Sequence, residues 1–355
     1  MTSKDRVLRA FLRQDTDRVP INYFANAGID RRLKAHYGLA TDDNEGLRRA
    51  LGVDFRGVGA HYTGPKLHAD IPERGINIDN WGIRTRWIEN PSGGYWDYCE
   101  FPLKDADVKT IRNWPMPSPD DFDYSHIADA CERNRDYCIV LGDAGVGDII
   151  NSAGMIRSME QVLIDLALDE EAGLLYIDRR AEIMLEVMRR SFEAAKGRID
   201  VLWMGEDLGT QIAPLISLEL YRKHLRPRHQ PFIDLAKKYG ARVMIHTCGS
   251  SSWVYPDFIE MGIDGVDSLQ PEAVNMSPGY LKKTFGDKLL LHSLISTAAG
   301  PIVYGTPEDT RQYCREMLDI LAPGGGYCFA PSHCLQDNTP TENAVAMYEV
   351  ARAYK

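Results

Sequence analysis

Histidine, cysteine and acidic residues follow four short apolar runs of this sequence. Glu206 and Asp207 come after the run Val201–Gly205, His246 and Cys248 after Arg242–Ile245, His292 after Leu289–Leu291, and His333 and Cys334 after Tyr327–Ala330. In a parallel α/β barrel the carboxyl ends of the strands form the floor of the active site. We therefore expect these side chains to share one pocket.

Two of these stretches have the residue types of a metal site. His246 and Cys248 are two residues apart, so on an extended strand both leave the same face and can bind one metal ion. The pair is equally compatible with a buried cysteine beside a hydrogen-bonded histidine. His333 and Cys334 supply a third ligand from a distant strand end, and one of the two is expected to bind because adjacent extended residues point in opposite directions. Two or three such ligands with one open position are typical of catalytic zinc.

Three further side chains are candidates for catalysis. Glu206 and Asp207 each have three possible roles: a fourth metal ligand, a general acid or base, or a partner that orients His246. His292 can protonate a leaving heteroatom, because histidine is a common general acid, or it bonds only to a neighbouring strand end. The histidines at 224 and 229, in a basic stretch, are expected to form a solvated helix face.

The elements that position these residues alternate between apolar strands and amphipathic helices, which predicts a (β/α)8 TIM barrel. The predicted strands are Val19–Phe24, Val53–Val58, Tyr137–Leu141, Val201–Gly205, Arg242–Ile245, Gly265–Leu269, Leu289–Leu291 and Tyr327–Ala330. The predicted helices include an N-terminal extension over Met1–Gln14, one capped by Thr306, and a closing helix after Thr339. We expect a single domain over residues 1–355.

An aromatic-rich segment interrupts the early part of this pattern. Residues from about 76 to 102 carry several tryptophans and tyrosines around Pro91 and Gly94, which predicts an inserted β-hairpin. We expect it to lie over one mouth of the barrel as a wall or lid, with a plain surface ribbon as the alternative.

Composition excludes several partner classes. The 355 residues carry a formal net charge of −10, which disfavours nucleic acid and anionic membranes as partners. No apolar run approaches the roughly 20 residues of a membrane span. The 7 cysteines are an odd number scattered through a large chain, so reduced thiols in a cytoplasmic protein are expected.

Four motifs resemble the uroporphyrinogen decarboxylase superfamily. They are Gly205-Glu206-Asp207-Leu208-Gly209-Thr210-Gln211, His246-Thr247-Cys248-Gly249, Ala330-Pro331-Ser332-His333-Cys334 and Thr339-Pro340 with Glu342-Asn343. A branch of this superfamily, the corrinoid-dependent methyltransferases, has a His-x-Cys pair and a distant cysteine as zinc ligands. The chain is similar to that branch over most of its length.

The resemblance implies a zinc-dependent enzyme that moves a methyl group between a small methylated compound and a corrinoid. The corrinoid is expected on a partner protein, since the barrel uses nearly the whole chain. Asn22, Tyr62 and Gln211 are the predicted cofactor-binding residues. Tyr62 and the aromatic residues of the inserted hairpin are also expected to shape a pocket for a methoxylated donor. The oligomeric state is left open.

Two positions depart from the family patterns. Counting back from Thr339-Pro340, the distant cysteine of the methyltransferases falls on His333, with Cys334 one place later. The arginine-bearing loop of the decarboxylases corresponds to Ala25-Asn26-Ala27-Gly28-Ile29, which has no arginine. Transfer from a methyl-corrinoid to a thiol or folate, metal-free porphyrinogen decarboxylation, and a non-catalytic corrinoid-binding module are the alternatives.

Overall fold

The computed structural model of the protein describes residues 1–90 and 93–355. The strands are β1 (Phe55–Val58), β2 (His61–Tyr62), β3 (Ile76–Ile78), β4 (Arg84–Asn90), β5 (Gly93–Glu100), β6 (Phe122–Asp123), β7 (Cys138–Gly142), β8 (Val201–Gly205), β9 (Arg242–His246), β10 (Gly265–Leu269), β11 (Leu290–Ser293) and β12 (Tyr327–Cys328). The helices are α1 (Ser3–Phe11), α2 (Ala27–His36), α3 (Asn44–Leu51), α4 (Val108–Asn113), α5 (Ile127–Arg133), α6 (Ile150–Arg157), α7 (Met159–Leu168), α8 (Glu171–Ala195), α9 (Leu218–Leu220), α10 (Arg226–Lys238), α11 (Tyr255–Met261), α12 (Pro278–Phe285), α13 (Pro301–Tyr304), α14 (Pro307–Leu321) and α15 (Thr341–Ala353).

A parallel sheet of seven strands forms the centre of the molecule. Its order is β1-β7-β8-β9-β10-β11-β12, so each strand after β1 pairs with the next strand of the sheet along the chain. Continuous apolar runs form these strands because helices cover the outer face and side chains fill the inner one. The sequence-based strand predictions from Val53 onward are confirmed, although β12 ends two residues before the predicted Ala330.

The segment around Ile21, predicted as the opening strand, closes this sheet into a barrel. The Asn22 amide donates to the Phe329 carbonyl at 2.9 Å, and the Phe329 amide donates to the Pro20 carbonyl at 2.8 Å. On the other side, the Asp54 amide donates to the Ile21 carbonyl at 2.9 Å. The segment therefore lies between the last strand and β1, and its pairing is limited to a parallel bridge rather than a full strand.

Helix α1 covers the amino-terminal end of the barrel. Val7, Ala10 and Phe11 lie on one face of this helix and pack against buried residues of six central strands: Phe55, Cys138, Val140, Val201, Met244, Leu290 and Cys328. This packing follows from the amphipathic pattern of the first residues, which places the apolar side chains on one face of the helix. The predicted N-terminal helical extension is confirmed.

A buried carboxylate anchors the same end. Asp54 is fully buried and accepts hydrogen bonds from Arg6 at 2.6 Å, from Arg18 at 2.7 Å and from the Ile21 amide at 2.8 Å. Ser3 donates a further bond to it at 2.7 Å. Every lone pair of the carboxylate therefore faces a donor, which is the condition for a stable buried charge.

The predicted cap at Thr306 and the predicted closing helix are confirmed. Thr306 accepts a hydrogen bond from the Asp309 amide, and the Asp309 side chain accepts one from the Thr306 amide, which starts α14 with a capping box. Helix α15 begins at Thr341, directly after Pro340, and buries eight residues against the barrel. None of the described helices combines the length and the apolar character that crossing a lipid bilayer requires.

The inserted segment is a three-stranded antiparallel sheet rather than the predicted hairpin. Strand β3 adds to the β4–β5 hairpin because Ile76 pairs with Arg86 and its side chain is buried. Pro91, which we predicted in the turn of this hairpin, lies outside the described residues. A Cβ atom at Gly93, the first residue of β5, would lie 2.9 Å from Asp337, so the tip of this sheet reaches the loop after β12.

Candidate metal centre

Three side chains from two distant strand ends converge at the carboxyl-terminal mouth of the barrel. One ligand atom each from His246, Cys248 and His333 lies within 4.8 Å of the other two. His246 Nε2 and Cys248 Sγ are 3.4 Å apart. Two ligands on one tetrahedral zinc are separated by about 3.5 Å, given Zn–N and Zn–S bonds near 2.0–2.3 Å. The residues therefore fit a metal ion of the zinc type with a fourth position left open.

His246 is held in the orientation that metal ligation requires. Its Nδ1 atom lies 3.0 Å from Asp267 Oδ2, so Nε2 faces Cys248. A carboxylate behind a ligating imidazole fixes the tautomer and raises the basicity of the ligand nitrogen. Burial lowers the pKa of His246, but the hydrogen bonds to Asp267 and Cys248 outweigh burial and hold that pKa well above its usual value.

Asp267 joins two histidines below the metal site. Its Oδ1 atom lies 2.5 Å from His292 Nδ1, and its side chain is almost fully buried. Burial raises the pKa of Asp267, whereas the charge of His292 and the hydrogen bonds from both imidazoles lower it below its usual value. The other ring nitrogen of His292 lies 3.2 Å from Asn22 Nδ2. The network thus runs from the barrel interior to His246, a candidate metal ligand.

Asp207 positions the loop that carries Cys248. Its Oδ1 atom accepts a hydrogen bond from the Cys248 amide at 2.8 Å and lies 3.7 Å from His246 Nε2. Asn151 donates to the second oxygen at 2.9 Å. Strand β9 ends at His246, so Cys248 belongs to a loop and not to the extended strand that the spacing argument assumed.

Two glycines let that loop pack against the loop after β8. A Cβ atom at Gly209 would lie 2.3 Å from the Ser250 amide nitrogen, and one at Gly249 would lie 2.2 Å from the Gly209 carbonyl oxygen. Gly249 also has a φ of +71°, which residues with a side chain rarely adopt. Backbone contact between the two loops therefore requires glycine at both positions and brings Asp207 to Cys248.

A bulge in β10 directs Ser268 toward the same site. Val266 pairs with Leu291 and Leu269 pairs with Ser293, so one residue of β10 is extra in the pairing, and Ser268 has a φ of +62°. Bulges and unfavourable φ angles of this kind are concentrated next to functional sites. Ser268 Oγ lies 3.6 Å from Cys248 Sγ. The Cys248 thiol therefore has the Ser268 hydroxyl as well as His246 beside it.

Of the two candidates for the third ligand, the structure favours His333 over Cys334. Its ring lies 6.1 Å from the ring of His246, between centroids, and its side chain is exposed at the mouth. The part of the ring that packs against the barrel is desolvated, and this desolvation, followed by the charge of His246, lowers the pKa of His333, which favours the neutral imidazole that binds metals. Among the described residues, Cys334 is not part of the three-residue group, and burial raises the pKa of its thiol.

Glu206 is placed away from this centre. It is buried, and its carboxylate accepts hydrogen bonds from the Ile149 and Ile150 amides at 2.8 and 3.0 Å, at the start of α6. His229 Nε2 lies 3.2 Å from the same carboxylate. Burial raises the pKa of Glu206 to about 8 and lowers that of His229 to about 4. Through these contacts Glu206 connects the end of β8 to α6 and α10, so its role in the structure is to hold these elements together.

The prediction of a solvated face for the two histidines at 224 and 229 is wrong. His229 is fully buried and His224 is 4% exposed. A π-helical turn over Tyr221–Leu225 precedes α10 and changes which residues face the barrel. The basic neighbours that suggested solvent exposure pair with acids instead, as Arg228 does with Asp178 at 2.6 Å.

A cavity of about 240 Å³ lies beside two of the three candidate metal ligands, Cys248 and His333. Cys248, Ser268 and His333 form its wall on one side. The remaining lining residues are uncharged: Gln270, Thr297, Ala298, Ser332 and Gln336. No lysine, arginine or carboxylate of the described residues lines it. The cavity therefore suits a small uncharged molecule that reaches Cys248 and His333.

The three predicted cofactor-binding residues lie in different surroundings. Asn22 is 6% exposed and contacts His292, so it belongs to the network below the metal. The Tyr62 hydroxyl donates to the Pro65 carbonyl at 2.7 Å, in a small sheet formed by β2 and β6. Gln211 is exposed, and its carbonyl accepts the Val274 amide at 3.0 Å. The structure does not bring these three together.

Asp267 is the functional residue that sequence reasoning missed. We considered polar residues that follow an apolar run, whereas Asp267 lies inside the strand Gly265–Leu269. In the parallel register it is the direct neighbour of His246. An acid inside an otherwise apolar predicted strand, next to a strand that ends in histidine, was the signal that could have identified it.

Comparison with known proteins agrees with this arrangement. The family model described as "Uroporphyrinogen decarboxylase (URO-D)" matches residues 107–354. The chain belongs to the uroporphyrinogen decarboxylase family. Among solved structures, the fold is similar to a methyltransferase from Methanosarcina mazei at 19% sequence identity and a TM-score of 0.61, covering 99% of this chain and 98% of the other. No curated protein sequence matches the chain.

Proposed function

We propose that this member of the uroporphyrinogen decarboxylase family is a zinc-dependent methyltransferase. It moves a methyl group between a small methylated compound and a corrinoid carried by a partner protein. The observation that carries the proposal is the convergence of His246, Cys248 and His333 beside a cavity. A bound zinc ion supplies Lewis acidity to the heteroatom that carries the methyl group, through its open coordination position.

The chain's own residues would prepare this centre before substrate arrives. Asp267 keeps Nδ1 of His246 occupied, so Nε2 is the nitrogen presented to the metal. Asp207 holds the Cys248 amide, and it lies at the edge of the site, where a proton can be accepted from or returned to a leaving group. We assign His292 a positioning role, since its buried ring contacts Asp267 and Asn22 rather than the cavity.

The lining of the cavity supports a small, uncharged methyl donor. Hydroxyl and amide groups from Thr297, Ser332 and Gln336 can orient an ether or alcohol oxygen by hydrogen bonding. A volume of about 240 Å³ is below the roughly 300–1,000 Å³ of pockets for drug-sized ligands. A compact methoxylated compound therefore fits this cavity better than a porphyrinogen with many carboxylates.

Porphyrinogen decarboxylation is disfavoured on the same grounds. Carboxylates are usually held by arginine through paired hydrogen bonds worth about 1.5–3 kcal/mol each. The corresponding segment here is Ala25–Ile29, where Ala27 begins α2, and the nearby Arg32 donates to the carbonyls of Asp337 and Thr339 instead. Arg32 is therefore engaged by the chain itself rather than turned toward a polyanionic substrate.

A docking surface for the corrinoid carrier is available on the inserted sheet. Trp87, Trp96 and Tyr98 are 45–50% exposed on one face of it. Exposed aromatic clusters mark interaction surfaces, because aromatic residues are enriched where proteins bind each other. The tip of this sheet reaches Asp337, four residues after His333, so a protein bound there would lie beside the mouth of the cavity.

Methyl transfer can be assayed directly with free corrinoid. Zinc-loaded protein is mixed with cob(I)alamin and a panel of small methoxylated compounds, and methylcobalamin formation is followed by its absorption spectrum. We expect zinc-dependent formation with at least one donor, and loss of that activity in Cys248→Ala. Cys99→Ser is the matched control, because this thiol belongs to the inserted sheet and donates to the Arg84 carbonyl at 3.6 Å.

Two further arms decide between the alternatives. Methylcobalamin with simple thiols tests the reverse direction, in which a thiol acceptor uses the same open position. Uroporphyrinogen is supplied to protein treated with a chelator. Decarboxylation by the metal-free protein, without methyl transfer in the other arms, would contradict the proposal.

A further inference from the structure

A second cavity lies on the opposite side of the barrel mouth from the metal-site strands. It has a volume of about 330 Å³ and opens at the carboxyl ends of β1 and β7, next to α8. Most of its wall is apolar, with Phe122, Leu141 and Met184 among the lining residues. Trp81 of the inserted segment covers one side. None of the three metal-site residues lines it.

The only cation in this wall, among the described residues, is Arg180 of α8. Its Cζ atom lies 4.1 Å from the centre of the Trp81 ring, and Nη2 donates to Ser152 Oγ at 3.3 Å. The other two nitrogens, Nε and Nη1, are buried and have no hydrogen-bond partner in the described residues. No described carboxylate lies within 4.0 Å to form an ion pair with it, unlike most arginines of this chain.

An unpartnered guanidinium in an apolar wall is unfavourable in an isolated chain. Two buried N–H donors of a cation that lack acceptors lose the hydrogen bonds they would make with water. Stacking on Trp81 offsets part of this cost, because a cation over an indole ring is stabilised by the ring. Arg180 also borders a void of about 10 Å³ beside Asp148, so of the two spaces only the larger cavity has room for an anion that would offset the rest.

We infer that this cavity is a binding site for a small organic carboxylate with an apolar body. The carboxylate pairs with Arg180, and the body packs against Trp81, Phe122 and Met184. Asp143 lies exposed at the rim of the cavity, where its Oδ1 atom accepts the Gly145 amide at 2.7 Å. Asp143 therefore disfavours a second negative charge on the ligand and accepts a hydrogen bond from a hydroxyl or amino group.

The volume agrees with a single-ring ligand. A cavity of about 330 Å³ is at the lower end of the range for small-molecule sites, roughly 300–1,000 Å³. An aromatic monocarboxylate fills such a space and can stack on Trp81. This inference does not depend on the metal centre, so it can succeed or fail independently of the proposed methyl transfer.

The test uses 4-fluorobenzoate as the probe and the full-length protein, with binding followed by ¹⁹F NMR line broadening. We expect saturable binding of 4-fluorobenzoate, and binding of the neutral analogue 4-fluorobenzamide weaker by at least tenfold. Arg180→Gln should weaken 4-fluorobenzoate by at least about tenfold, because it removes a charge-assisted hydrogen bond. Arg189→Gln is the matched control on the same helix, since Arg189 pairs with Glu186 and Glu193 at the surface.

Two more variants locate the binding. Gly59 lines the cavity, and a Cβ atom there would meet no atom within 4 Å, so Gly59→Leu adds bulk without a clash and should also abolish binding. Cys248→Ser should leave binding unchanged, because Cys248 does not line this cavity. A carboxylate bound at the metal site would instead be lost in that variant. Equal affinity for the acid and the amide, unchanged affinity in both Arg180→Gln and Gly59→Leu, or loss in Cys248→Ser would overturn the inference.

Discussion

The two ends of the barrel each bury a carboxylate that collects several donors, yet they use it differently. At the amino-terminal end, Asp54 accepts bonds from Arg6, Arg18 and the Ile21 amide, and these groups have no further ligand to bind. At the carboxyl-terminal end, Asp267 accepts from His246 and His292. His246 keeps a second nitrogen that faces Cys248.

This difference separates a structural network from a site. A buried charge whose partners are all satisfied stabilises one arrangement of the chain and nothing else. A buried charge whose partner has an unused ligand atom orients that atom for an external group. The comparison predicts that substitutions at one end change folding, whereas substitutions at the other change metal binding.

The largest expected effect on stability is at the amino-terminal end. Asp54→Asn leaves Arg6 and Arg18 without their shared counter-charge in a buried position, so we expect the free energy of unfolding to fall by about 3–5 kcal/mol. Urea denaturation of the purified variant measures this change. Zinc content per folded molecule should equal that of the unsubstituted chain, and a loss of zinc without a loss of stability would contradict the comparison.

At the other end, adjacent substitutions separate the two candidate third ligands. His333→Ala removes a ligand atom and should raise the zinc dissociation constant by more than about 100-fold, beyond the change typical for residues that only orient a ligand. Cys334→Ser should change it by less than about threefold. Competition with a chromophoric chelator measures both values. The reverse pattern would identify Cys334 as the ligand.

Removing the carboxylate behind His246 should have an intermediate effect. Asp267→Asn keeps the size of the side chain but loses the charge that orients both imidazoles, and we expect zinc affinity to fall by about 10–100-fold. The same chelator competition measures the change, with Asn22→Ser as a milder control on the far side of His292. Equal effects of the two substitutions would argue against a special role for Asp267.

The smallest effect concerns a buried acid that belongs to neither of these two networks. Burial, followed by the charge of Glu206, raises the pKa of Asp148 from 3.8 to about 7. Between these values the folded chain binds more protons than the unfolded chain, so this group makes the protein less stable as pH rises through the window. Asn at this position cannot titrate.

Asp148→Asn should therefore become more stable relative to the unsubstituted chain as pH rises. Between pH 5 and pH 6 we expect the difference in unfolding free energy to grow by about 1 kcal/mol. The substitution is compatible with the site, because Oδ2 makes the bonds to Ser152 and Oδ1 has no partner in the described residues. Unfolding curves whose difference is constant over this range would refute the assignment.

Much of the barrel was predictable because its strands are continuous apolar runs bounded by polar residues. The strand Val201–Gly205 has the predicted bounds. The proximity of His246 and Cys248 was also predicted, although Cys248 lies in the loop after β9 and not on an extended strand. The choice between His333 and Cys334 was not predictable, since it depends on the rotation of a short segment after β12.

Other features depend on contacts between distant segments. His229 looks solvated in a basic stretch of sequence, but a π-helical turn rotates it toward Glu206. Arg180 resembles any other helix arginine until Trp81, about a hundred residues earlier in the chain, is packed over it. Local pattern carries no information on such pairs, because it does not specify which surfaces meet.

The central claim is that two imidazoles and one thiolate hold zinc with a position left open. X-ray absorption at the zinc edge on the metal-loaded protein tests it most directly. The account predicts one sulfur at about 2.3 Å, with the remaining scatterers being nitrogen or oxygen at about 2.0–2.1 Å. Two sulfur scatterers, or a protein that retains no zinc after dialysis, would contradict it.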